Sequence, residues 1–256
     1  MQSLFITATD TGVGKTTFSA ALLAQARAAG LDAVPMKPVQ TGCERRGDRL
    51  IAPDLEFCLS AAALAATDEE KELMCPYRFE PACSPHLAAK LAGHPIQLDD
   101  IIAARRKLQQ RHETLIVEGA GGVLAPIDEE NFMIDLMKIL NLPVVLVARS
   151  GLGTINHTLL TFQALRRARI EIRGIVLSDT HRDEPALIVE DNLRIIRQQA
   201  GATPVIRMPF FPAGSLAPQA RADRQSVENS SRDFPILGKN PAHFSNHWKI
   251  PDVFFQ

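Results

Sequence analysis

The chain reads as a single α/β domain of the P-loop nucleotide-binding class, a mostly parallel sheet with helices on both faces. Three observations predict it. Short apolar, β-branched-rich runs recur six times with helix-length segments between them, the alternation that builds a parallel sheet covered on two sides. Residues 3–17, SLFITATDTGVGKTT, pass from an apolar strand through a glycine-containing loop into a lysine and two threonines, the layout of a phosphate-binding loop. The 256 residues suffice for one sizeable core, and no internal repeat divides them.

The first strand, 4–7, is carried by Leu4, Phe5 and Ile6 and feeds the loop 9–14. Helix 16–29 follows, with Phe18, Ala21, Leu22 and Ala26 on one apolar face and Gly30 just past its end. A second strand occupies 33–36, and a helix is expected over 53–66, where the alanines of 61–66 are strong helix formers. Ser84 before Pro85, and Asp99 before an apolar-periodic run, start helices at 84–92 and 98–112. Strands at 114–117, 143–147, 172–177 and 204–208 then alternate with helices at 131–141, 154–169 and 184–200. These elements make a domain of residues 1–211. In the tail, 212–256, the pattern fades into Pro-, Ser-, Asn- and Arg-containing sequence with late aromatics at Phe244, Trp248, Phe254 and Phe255. Two outcomes stay open for it: docking of those aromatics on the domain or on a partner subunit, or a mobile segment.

Composition narrows the functional class. With 46% hydrophobic and 22% charged residues and a formal net charge of −1, the chain has the make-up of a globular enzyme and no electrostatic footprint for nucleic acid. The basic runs Arg105–Lys107 and Arg166–Arg167 fall on expected helices and read as solvated faces. Cys43, Cys58, Cys75 and Cys83 show no C-x-x-C spacing, and His86 and His94 complete no zinc pattern, so free thiols in a reducing compartment are expected. The N-terminus lacks the pattern of a signal peptide and no apolar run is long enough to span a membrane. A cytoplasmic protein without membrane attachment is expected.

Ligands of an open parallel sheet bind outside the carboxyl ends of the strands, so the residues directly after each strand carry the chemistry. After the first strand, Gly12, Val13, Gly14, Lys15, Thr16 and Thr17 would present backbone N–H groups at a helix N-terminus to phosphate, with Lys15 adding a charge and Thr16 a hydroxyl for Mg²⁺. Thr9 stands where the general pattern has its first glycine, which makes the loop a variant. Lys37 ends a buried strand, a costly place for an ammonium unless it reaches an anion such as a phosphate or carbamate. Glu118 closes the run 115–117 and could hold Mg²⁺, while Gly119, Ala120 and Gly121 let backbone approach a nucleotide. Asp54 begins a helix, where a carboxylate also complements the dipole. The fourth strand delivers residues 149–157 to the same edge.

Five ordered motifs carry a resemblance: T-D-T-G-V-G-K-T at 9–16, K-P-V-Q-T-G at 37–42, S-P-H-L-A-A at 84–89, V-E-G-A-G-G at 117–122 and G-T-I-N-H-T at 153–158. Spread over residues 3–210, they resemble the dethiobiotin synthetase family of biotin biosynthesis. The resemblance implies an ATP-dependent ligase that joins CO₂ to 7,8-diaminononanoate as a carbamate, phosphorylates it, and closes the cyclic urea of dethiobiotin with release of ADP and phosphate. It implies Lys15 and Lys37 as catalytic residues, Thr16, Asp54 and Glu118 around Mg²⁺, and Thr11, Thr41, Lys37, Gly151 and Asn156 toward substrate. It also implies a homodimer in which 151–156 reaches the substrate carboxylate of the neighbouring subunit, and Ser178, Asp179 and Pro209 beside the nucleobase. Many members have Asn-Asp where this chain has Ser178-Asp179, which removes the amide that reads adenine. Two rivals share the fold. A partitioning-type switch ATPase carries Lys-Gly-Gly where this chain has Asp10-Thr11-Gly12, and a cobyrinic acid amidation ligase normally adds a glutaminase domain for which 256 residues leave no room.

Overall fold

The computed structural model describes residues 1–212 and 249–255. In chain order the elements are β1 (Leu4–Ala8), α1 (Lys15–Ala28), β2 (Ala33–Met36), β3 (Val39–Gln40), β4 (Glu44–Arg46), β5 (Arg49–Ile51), α2 (Pro53–Ala61), α3 (Asp68–Met74), β6 (Tyr77–Arg78), α4 (Pro85–Ala92), α5 (Leu98–Arg111), β7 (Thr114–Glu118), α6 (Met133–Leu140), β8 (Val144–Arg149), α7 (Thr154–Arg167), β9 (Ile172–Ser178), α8 (Ala186–Ala200) and β10 (Val205–Met208), with a short 3₁₀ turn at Asp252–Phe254. Six strands make one sheet in the order β10-β9-β8-β1-β7-β2, all parallel. All six are the strands expected from sequence.

Strand β1 lies between β7 and β8, and the chain passes from one side of it to the other after β7. Such a reversal opens a crevice at the strand's carboxyl end, where the phosphate loop begins. Alternate residues of β1 feed two cores, as a two-residue period requires. Leu4, Ile6 and Ala8 join Phe18, Ala21 and Leu22 of α1, whereas Phe5 joins Leu115, Val117, Leu146, Leu108, Leu136, Phe162 and Ile196 on the other face. The α1 face is completed from the chain's end: Ile250 and Phe254 are buried in the same cluster. Phe254 therefore docks on the domain, while Phe244 and Trp248 lie outside the described residues.

Four local features differ from the sequence reading. The helix expected over 53–66 stops at Ala61, because Ala63 turns to φ 49° and the Leu64 N–H bonds back to Leu59 O at 2.9 Å. A capping box then starts α3: the Glu70 N–H donates to Thr67 Oγ1 at 3.2 Å and the Thr67 N–H to Glu70 Oε2 at 2.9 Å. The hairpin β4–β5 has charged residues at four of its six strand positions and so lacks an apolar alternation; Gly47, at φ 60°, turns it. The two-residue pair β3–β6 is also too short for a periodic signal, yet it sets the course of the chain after β2.

Candidate active site

The site grows from four strand and helix ends around β1. Gly12 and Gly14 have φ of 73° and 98°, a region that costs a residue with a Cβ. The Phe18 N–H closes the first turn of α1 onto Gly14 O at 3.0 Å, leaving earlier amides free to meet an anion. Lys15 is buried and donates from Nζ to the Asp10 carbonyl at 2.9 Å. Burial, reinforced by nearby Lys37, pulls the Lys15 ammonium down to about 8.

Lys37 follows β2, and its backbone N–H donates to Met74 O at 2.7 Å while Tyr77 N–H reaches Pro38 O at 3.3 Å. Those bonds fix the turn that carries Lys37 inward. Its Nζ lies 2.6 Å from Asp54 Oδ2 and 2.7 Å from Glu118 Oε1, with Gly119 O at 3.4 Å. Burial alone would depress this ammonium, but the two carboxylates outweigh it and hold Lys37 above the ordinary lysine range. Glu118 ends β7 and is buried; its Oε1 also accepts from Thr16 Oγ1 at 2.8 Å. Its Oε2 is buried without a hydrogen-bond partner, a cost that a further cation or donor would remove. Thr16, Lys37, Asp54 and Glu118, from four separate stretches of the chain, thus form one hydrogen-bonded cluster. Among the described residues no group of three or more His, Cys, Asp or Glu side chains forms a metal cage. The two carboxylates with the Thr16 hydroxyl do fit Mg²⁺, which is bound through one or two carboxylates together with substrate phosphates.

A cavity of about 1170 Å³ runs over this cluster and is lined by Thr11, Gly12, Gly14, Lys15, Thr16, Thr17, Lys37, Thr41, Asp54, Glu118, Ala120 and Gly121 among others. Val13 is turned into the α1 core. Gly119 sits behind the wall, where a Cβ would approach the Phe5 ring to 2.9 Å. Ser178 ends β9 directly under Gly14, and the Asp179 carboxylate is engaged by Arg207 on β10 at 2.8 Å. Pro209 follows β10, Gly151 packs against Glu184, and Asn156 is exposed on α7; none of these five lines the cavity. The structure adds Asp10, Gln40, Ser84 and Gly122 to the lining. Ser84 hydrogen-bonds His86 Nδ1 at 3.0 Å, a contact between residues two apart that no spacing rule singles out.

The AAA domain family matches residues 2–214. An ATP-dependent dethiobiotin synthetase from Anaeromyxobacter sp. (strain Fw109-5) is 44% identical over 209 residues, 81% of this chain and 90% of that protein. One from Anoxybacillus flavithermus (strain DSM 21510 / WK1) is 37% identical over 214 residues, 82% of this chain and 93% of its own. This chain belongs to the dethiobiotin synthetase family. The five motifs that resembled the family fall within the matched span, and dethiobiotin synthetases are ATP-dependent ligases of biotin biosynthesis. The Aquifex aeolicus MinC:MinD cell division protein complex is similar in fold, with a TM-score of 0.50, 15% identity and 83% coverage of each chain.

Proposed function

We propose that the protein carries out the full dethiobiotin synthetase reaction with ATP and CO₂ on 7,8-diaminononanoate, in the cavity over the Lys37 cluster. One observation carries this reading: a buried lysine bridges two carboxylates at 2.6 and 2.7 Å beside the phosphate loop, and one of those carboxylates also takes the loop's Thr16 hydroxyl. A phosphate-binding loop alone would serve any nucleotide hydrolase. A buried ammonium at the same edge offers charge to a second anion, the carbamate.

One amine of the diamine adds to CO₂ and loses a proton, giving a carbamate. A carbamate oxygen then displaces ADP from the γ-phosphorus, and the second amine attacks the carbamoyl carbon, expels phosphate with that oxygen, and loses its own proton. Phosphoryl transfer asks the protein chiefly for positioning and charge stabilisation. The amides of α1 and Lys15 hold the phosphates, Lys37 holds the oxygens shared between carbamate and γ-phosphate, and Thr11 and Thr41 orient the amines. Mg²⁺ held by Thr16, Asp54 and Glu118 would supply charge to the phosphate oxygens and relieve Lys37 of its two carboxylate partners.

Family membership supports the rest of the proposal. The active form is a homodimer whose 151–156 segment reaches the neighbouring subunit's substrate carboxylate; Leu152 there is 82% exposed, an apolar side chain available for burial. Ser178, Asp179 and Pro209 lie toward the base. A cytoplasmic location accords with four free cysteines. No helix among the described residues is long and apolar enough to cross a membrane. The test is phosphate release with ATP and Mg²⁺, omitting diaminononanoate and bicarbonate in turn. Release that needs both supports the reading, and equal turnover without the diamine overturns it.

A further inference from the structure

The carboxyl-terminal residues grip α1, the helix whose first turn holds phosphate. Phe254 is fully buried and sets its ring edge-on against Phe18, with centroids 5.8 Å apart at 69°. On its other side the ring fills the place of an absent side chain: a Cβ on Gly174 of β9 would come within 2.6 Å of it. Four residues earlier, the Ile250 N–H donates to Gln25 Oε1 at 3.1 Å. Phe18 and Gln25 are two turns apart on one stripe of α1, so the segment holds the helix at two points. Phe18 is also the residue whose amide closes onto Gly14 O at 3.0 Å, and it shares a face with Lys15 one turn before it.

We propose that residues Ile250 and Phe254 form a clamp that positions α1 against β9 and thereby sets the affinity of the phosphate loop for nucleotide. The clamp acts through Phe18, so Phe254 is a positioning residue and touches no substrate. A ligand that binds more tightly when the clamp is docked must by linkage tighten the docking. The inference rests on the reading of residues 9–17 as the ATP phosphate site.

Phe254→Ala should raise the KM for MgATP about fivefold or more, the low end of ordinary coupling between sites, with kcat at saturating ATP within about twofold. Phe254→Leu, which keeps an apolar plug, should recover most of the affinity. Gly174→Ala should reproduce the defect by expelling the ring, and adding it to Phe254→Ala should add little, since both remove one contact. A variant-free measurement stands beside these. The Phe254 and Phe255 amides donate to Pro251 O at 3.1 Å and Asp252 O at 2.8 Å, and saturating MgATP should slow their hydrogen exchange by the same factor of about five. A lower melting temperature with unchanged KM, or exchange indifferent to MgATP, overturns the clamp. If MgATP fails to raise the melting temperature of the unaltered protein, the phosphate-site reading itself is overturned.

Discussion

Replacing Lys37 by methionine removes the ammonium that lies between Asp54 and Glu118, at nearly constant volume. At an effective dielectric of ~20, contacts of 2.6 and 2.7 Å are each worth about 6 kcal/mol of gross attraction. Desolvation of the ions takes back several kcal/mol apiece, and breaking such a buried pair costs a net ~3–5 kcal/mol. That loss is smaller than the usual total stability of ~5–15 kcal/mol, so the variant stays folded near 25 °C and melts roughly 10 °C lower. Its turnover should fall by on the order of 10²-fold or more, the effect of removing one preorganised charge-stabilising donor. The assay is steady-state phosphate release with ATP, Mg²⁺, diaminononanoate and bicarbonate, run beside a thermal melt so that unfolded protein is discounted. Adding Glu118→Gln should restore much of the melting temperature, because it removes the more buried of the two stranded charges, and none of the turnover. Turnover of Lys37→Met within a few-fold of the unaltered protein would refute the reasoning and leave Lys37 a structural counter-ion.

The metal reading predicts that Thr16→Val and Glu118→Gln each raise the Mg²⁺ concentration for half-maximal turnover by roughly tenfold or more, as loss of a contact to a charged partner does; unchanged Mg²⁺ titrations of both would exclude these ligands. CTP and GTP should support turnover per KM within roughly tenfold of ATP, a gap of ~1.4 kcal/mol or less, because Ser178 lacks the paired donor and acceptor of an amide and Asp179 is engaged by Arg207. An ATP preference above a hundredfold would mean that backbone near Pro209, or Asp179, reads the base. Asp135 accepts from the Phe132 N–H at 3.0 Å and from Lys138 Nζ at 3.0 Å. Burial pushes its carboxyl up, and those hydrogen bonds outweigh burial and hold it below 3.8. Its stabilisation is therefore present above about pH 4 and lost as pH falls through the lower folded value. Asp135→Ala should cost about 1 kcal/mol at pH 7 and progressively less as pH falls below about 4, read from urea melts across that range; a pH-independent difference would contradict this.

Much of the site was legible because its chemistry sits at strand ends. An apolar strand that closes on Glu118, or on Lys37 before a proline, announces a polar group at the sheet's carboxyl edge, and the sheet order does the rest. What the spacing could not tell is pairing. Asp54 read as a metal ligand or a helix-dipole residue, and only the fold shows it 2.6 Å from Lys37. That approach depends on the Met74 carbonyl and the β3–β6 pair, contacts spanning more than thirty residues and carrying no periodic signature. The Phe254 anchor was equally hidden. An aromatic near a chain end carries no address, and the slot it fills is defined by the side chain that Gly174 lacks.

The central claim is that the γ-phosphoryl group passes to a carbamate oxygen, held by Lys37, and not to water. Oxygen-18-labelled CO₂, supplied in a rapid single-turnover reaction before exchange with solvent, tests it directly. The account predicts inorganic phosphate carrying one labelled oxygen for each dethiobiotin formed. Dethiobiotin accompanied by unlabelled phosphate would contradict it.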